Sequence, residues 1–151
     1  MSKINEFIYI LFHPVDGFDQ MKYKKTGSAL IAFINVIAWF IIASFERQFT
    51  NFRFNYFDTD NTNIIYIFIS TVIMYVFFCI GNWSLCTLFD GEGTLGEIFI
   101  TVGYSLAPML TTMLINIIFS NILSSNEGVF LSFLNILGFS WTGLLLFFGL
   151  M

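Results

Sequence analysis

Four long runs without a charged residue divide the chain, at 26–45, 61–89, 98–126 and 128–151. Each reaches the roughly 20 residues that a helix needs to cross the hydrocarbon core of a bilayer. Within them apolar residues point in every direction. Ile64-Ile65-Tyr66-Ile67-Phe68-Ile69 shows neither the alternation of a barrel strand nor the single stripe of a surface helix. The β-branched and aromatic content of 64–78 would favour a strand in water, but a lipid-buried segment must satisfy its own backbone groups, and a helix does so internally. The pattern predicts an all-α, polytopic membrane bundle over residues 26–151, with spans at about 27–46, 64–89, 98–123 and 129–151.

Residues 1–25 read differently. Ile4, Phe7, Ile8 and Leu11 recur at helical spacing and make an apolar stripe. His13-Pro14 ends that run, and Pro14 suits the first turn of a second short helix, in which Val15, Phe18 and Met21 share a face opposite Asp16, Asp19 and Lys22. This segment is expected to form an amphipathic elbow at the membrane interface. A secretory signal would need a small-residue cleavage site, which is lacking here.

Composition strengthens the membrane reading. Hydrophobic residues make up 57% of the chain and charged residues 11%, against roughly a quarter charged in soluble domains. Lys3, Lys22, Lys24 and Lys25 precede the first span, whereas Arg47 and Arg53 are the only basic residues after it. The positive-inside bias therefore predicts a multi-pass protein of a cytoplasmic-type cell membrane, with its N-terminus, its C-terminus and the 90–97 loop facing the cytoplasm. A net charge of −4 offers no footprint for nucleic acid.

Catalytic patterns are absent. The sequence contains no GxSxG, P-loop or HExxH, and its single histidine, His13, has no identifiable catalytic partner. Cys79 and Cys86 lie two turns apart on one helix face, with Cα atoms about 10 Å apart, too far for a disulfide. Two buried free thiols are expected, with no metal centre and no cofactor. The chain does not read as an enzyme.

Each span carries one asparagine well inside its ends: Asn35, Asn82, Asn116 and Asn135. Hydrogen bonding between helices explains them most simply. A polar path for a solute is the alternative, and it would make the protein a small transporter or a permease accessory subunit. Gly81, Gly103, Ser105, Ala107, Gly138 and Gly143 would allow close helix packing under either reading. Pro108 removes a backbone donor inside the third run, so a kink is expected near 106–109. The loop Asp90-Gly91-Glu92-Gly93-Thr94-Leu95-Gly96-Glu97 is the most polar stretch beside a span. Thr94 and Glu97 have the spacing of a capping box, while three carboxylates without the EF-hand pattern are weak grounds for calcium.

The stretch Gly93-Thr94-Leu95-Gly96-Glu97-Ile98-Phe99, followed by Gly103-Tyr104-Ser105-Leu106-Ala107-Pro108, resembles the YIP family of Ypt/Rab-interacting membrane proteins. His13-Pro14-Val15-Asp16-Gly17-Phe18 resembles the lead-in of its bacterial members. The resemblance implies a multi-spanning bundle without cofactor or catalysis, acting as a membrane scaffold or interaction partner. It makes Asp90, Gly91, Gly93, Thr94, Gly103, Tyr104, Ser105 and Pro108 the candidate interaction residues. The implied partners are the lipid bilayer and another membrane or cytoplasmic protein, or a second copy of the chain. The Asp-Leu-Tyr-Gly-Pro motif of eukaryotic relatives is missing, so a GTPase partner does not carry over.

Family members typically have five spans, and only four apolar runs are found here, the last closing at Met151 without a polar or aromatic anchor. An incomplete copy of a longer protein is the resulting expectation. It requires the genomic reading frame to continue into another run of about 20 apolar residues; an in-frame stop directly after Met151 would refute it.

Overall fold

The computed structural model describes residues 3–24, 27–55, 63–88, 93–124 and 127–151. Among the described residues seven helices follow one another: α1 (Lys3–Phe12), α2 (Pro14–Lys24), α3 (Ala29–Phe49), α4 (Ile64–Leu88), α5 (Leu95–Ser105), α6 (Ala107–Ser120) and α7 (Gly128–Leu150). Four helical units are long and apolar enough to cross a membrane: α3, α4, the pair α5–α6 taken together, and α7. They run up and down, so the starts of α3 and α5 share one end of the bundle with the finish of α7. The protein is a multi-pass, all-helical membrane protein.

The third unit is the axis of the bundle and the most buried of the four. α5 packs on α3, α7 and α4, α6 packs on α3 and α7, and α4 touches only α3 and α5 among its main contacts. The expected kink is a break: α5 stops at Ser105 and α6 starts at Ala107, with Leu106 as the joint. Pro108 occupies the first turn of α6, where its missing N–H costs least. That same absence leaves the Tyr104 carbonyl, four residues back, without its helical donor.

Small residues set the distances between these helices, at some of the expected positions only. A Cβ on Gly103 would overlap Ala32, lying 2.7 Å from its Cα, so α3 and α5 touch backbone to backbone there. Gly138 makes room for the Thr112 side chain rather than for backbone, and joins α7 to α6 there. Gly81 and Gly143 have nothing within 4 Å of such a Cβ, so neither serves packing. Both lie on outward helix faces, where glycine and larger residues are equally accommodated.

The N-terminal elbow docks on the bundle. Its buried large side chains are Ile10 and Phe18, whereas Ile4, Ile8 and Val15 of the expected apolar faces remain exposed. The difference arises because α1 packs against α2, where Gly17 sits on the Ile10 backbone, and because both helices lean on the long ones. Phe7 meets the Tyr104 ring edge-on at 5.1 Å. Trp141 Nε1 donates to the Leu11 carbonyl at 3.2 Å. Leu11 and Phe12 lie beside Ala107, Pro108, Leu137 and Gly138, level with the break in the third helix. Cys79 is buried and Cys86 half-buried rather than buried, and both are free thiols.

Gly103→Ala must push α3 from α5 at a backbone contact, and overpacking of this kind costs about 1–3 kcal/mol. A lower unfolding temperature in mild detergent is expected, while Gly81→Ala, which meets no neighbour, should leave it unchanged or slightly raised.

Candidate functional site

The segment that bears the family resemblance enters its helix through a capping box. Thr94 Oγ1 accepts from the Glu97 backbone N–H at 3.3 Å, and Glu97 Oε2 accepts from the Thr94 N–H at 3.0 Å. Two backbone donors that a helix start leaves unpaired are thereby satisfied. Gly93 is half-buried just before the cap. Asp90 and Gly91, together with Glu92, lie outside the described residues. Among the described residues no group of three or more His, Cys, Asp or Glu side chains comes together to hold a metal.

Further along, Gly103, Tyr104 and Ser105 are buried and Pro108 half-buried, so this motif faces the interior. Its polar groups are used there. Asn35 Nδ2 on α3 donates to the Gly103 carbonyl at 2.9 Å. Tyr75 Oη on α4 donates to the Phe99 carbonyl at 2.6 Å, and its ring meets Phe99 edge-on. Tyr104 Oη accepts from the Ser28 N–H at the start of α3. Ser105 Oγ donates back to the Thr101 carbonyl. Two residues that sequence reasoning treats as interaction candidates, Gly103 and Tyr104, thus bind α3, and Phe99 on the same helix binds α4 through Tyr75, so that both helices are clamped to the broken third unit. Tyr75 and Thr71, buried on α4 and separated by one helical turn, belong to the same interface. Their i, i+4 spacing is visible in the sequence, but α4 is apolar on all sides, so no contrast marks the stripe.

The four asparagines do not form one set. Asn116 on α6 donates to Asn135 Oδ1 on α7, a side-chain pair across the helix interface. Asn35 lies on another interface, and Asn82 donates only to the Phe78 carbonyl of its own helix. The expected interhelical bond at Asn82 does not occur, because α4 is the peripheral helix and the amide folds back onto its own turn. Thirteen residues of the third unit, about 20 Å at helical rise, separate Gly103 from Asn116. Val36, Leu106 and Leu110 belong to the apolar cluster that fills the interval.

Beside the Asn116–Asn135 pair, at the end of the bundle where α3 finishes and α7 begins, lies a cavity of about 110 Å³. Glu46, Thr50, Asn55, Asn116, Ser120, Ser132 and Asn135 contribute its polar walls. Asn116 is only 8% exposed, and its Oδ1 has no hydrogen-bond partner among the described residues. Ser120 is spent on its neighbours, since its Oγ donates to the Ile117 carbonyl and accepts from the Asn51 N–H. Glu46 was not among the sequence candidates. It borders the first charge-free run, where a carboxylate reads as the end of a span, and only the meeting of three helices turns it inward.

In comparison with known protein families, the model of the Yip1 domain matches residues 8–151. No curated protein and no solved structure matches the chain.

The two polar interfaces make separable predictions. Asn135→Leu strands the buried Asn116 amide and should destabilise the bundle by about 0.6–2 kcal/mol, the range for side-chain hydrogen bonds between membrane helices. Asn82→Leu should be silent in the same detergent unfolding assay, because it removes a bond made within one turn.

Proposed function

Because this chain belongs to the Yip1 domain family, we propose that it acts as a non-catalytic scaffold or interaction partner in a cell membrane, with its N-terminus on the cytoplasmic side. The observation that carries this reading is the inward use of the family-like segment. Gly103 and Tyr104 bond α3, Ser105 is buried and bonded within its own helix, and none of them is left to contact a substrate. Recognition then falls to the outer surface, where α4 offers the widest free face. Its buried stripe is Ile67, Thr71, Tyr75 and Cys79, and the remaining sides present Ile73, Met74 and Phe77 outward. Another membrane protein would meet that face by van der Waals packing in lipid.

A small transporter or permease accessory subunit is the second reading, favoured by the polar cavity at Glu46. The apolar layer at Val36, Leu106 and Leu110 weighs against a through-path, since a polar solute would have to cross it unsolvated. An accessory role needs no path and merges with the scaffold reading.

Photoreactive benzoylphenylalanine at Phe77, with buried Met109 as the control position, tests the surface. In native membranes Phe77 should give a discrete protein adduct and Met109 none. Adducts to lipid alone at Ile73, Met74 and Phe77 would refute α4 as the contact face.

A further inference from the structure

We propose that the cavity between α3, α6 and α7 is a binding site for a small monovalent cation, an alkali-metal ion or an ammonium group. It is independent of the scaffold reading, because it concerns the interior at the Glu46 end of the bundle and not the outer face of α4. Two observations meet there. Glu46 brings a carboxylate to the wall of a cavity within a membrane bundle, where an unbalanced charge is costly. Asn116 brings an amide oxygen that is buried and has no donor among the described residues, although its own Nδ2 is already committed to Asn135.

The polar wall offers several acceptors beside the amide donors of Asn135 and Asn55, the latter of which donates to the Arg47 carbonyl. The Glu46 carboxylate and Asn116 Oδ1 can only accept, and Ser132 has given its hydroxyl proton to the Gly128 carbonyl and keeps its lone pairs. Thr50 adds a hydroxyl at the rim. Those acceptors suit an occupant that is positive or carries N–H donors. The single carboxylate matches a single positive charge, whereas calcium sites gather six to eight oxygens, typically from several carboxylates. A volume of about 110 Å³ holds an alkali ion together with a few of its waters, or a small organic ammonium. Arg47 interacts with Glu46 electrostatically, but it follows Glu46 on the helix, is turned about 100° away and does not line the cavity. It tempers the site without filling it.

The test is equilibrium binding of radiolabelled sodium, rubidium and methylammonium to the purified full chain in mild detergent, with N-methylglucamine chloride holding ionic strength constant. Saturable binding of one of the three, at about one ion per chain, is expected, and the ion retained identifies the class. Glu46→Gln keeps the shape of the side chain and removes the charge, so it should weaken binding about tenfold or more. Asn116→Leu should weaken it as well. A monodisperse elution profile on size exclusion confirms that each variant is folded. Absence of saturable binding for all three ions, or binding that Glu46→Gln leaves unchanged, would overturn the proposal.

Discussion

A carbonyl without a donor is tolerable beside water and costs several kcal/mol inside hydrocarbon. Pro108 creates that problem at the centre of this bundle, because the third helical unit is both its axis and the place where its backbone is broken. The Tyr104 carbonyl accepts instead from the Leu106 N–H at the joint, and other carbonyls of α5 gather side-chain donors beside the break. Asn35 reaches across from α3 to the Gly103 carbonyl, Tyr75 reaches from α4 to Phe99, and Ser105 returns its hydroxyl to Thr101. A break that would be a weakness in an isolated helix becomes the point at which three helices are hydrogen-bonded together.

Those bonds require close approach. Gly103 permits it on α5 and Ala32 on α3, and the two residues leave no room for even one more methyl group between them. Gly138 makes room for the Thr112 side chain between α6 and α7, one turn from the Asn116–Asn135 pair by helical position. In lipid there is no hydrophobic force to drive helices together, so close packing of small residues and buried amides has to supply the association. The N-terminal elbow extends the same logic: Ile10 and Phe18 fill the space beside Tyr104 and Gly149, and Trp141 fastens Leu11.

Function follows from what the packing consumes and what it leaves. The residues most suggestive in the sequence are consumed, which turns attention from them to the apolar face of α4 and to the cavity at Glu46. These two features are chemically unlike. One is a lipid-exposed surface suited to another helix, and the other is a partly open cavity whose polar wall groups suit a charge.

Membrane character, the number of spans and the place of the interruption near Pro108 were determined by the sequence alone, because each rests on a property carried by single residues or short runs: the absence of charge over a span, and a missing N–H. The capping box at Thr94 and Glu97 was equally local. Which asparagines pair was decided only by the tertiary structure. Asn35, Asn82, Asn116 and Asn135 look alike along the chain, yet one bonds a backbone carbonyl across an interface, one bonds its own helix, and two bond each other. The inward turn of Glu46 and the use of Gly103 but not Gly81 were decided in the same way. A helix that is apolar on every side carries no record of which face meets a neighbour, so rotation about its axis is settled by packing.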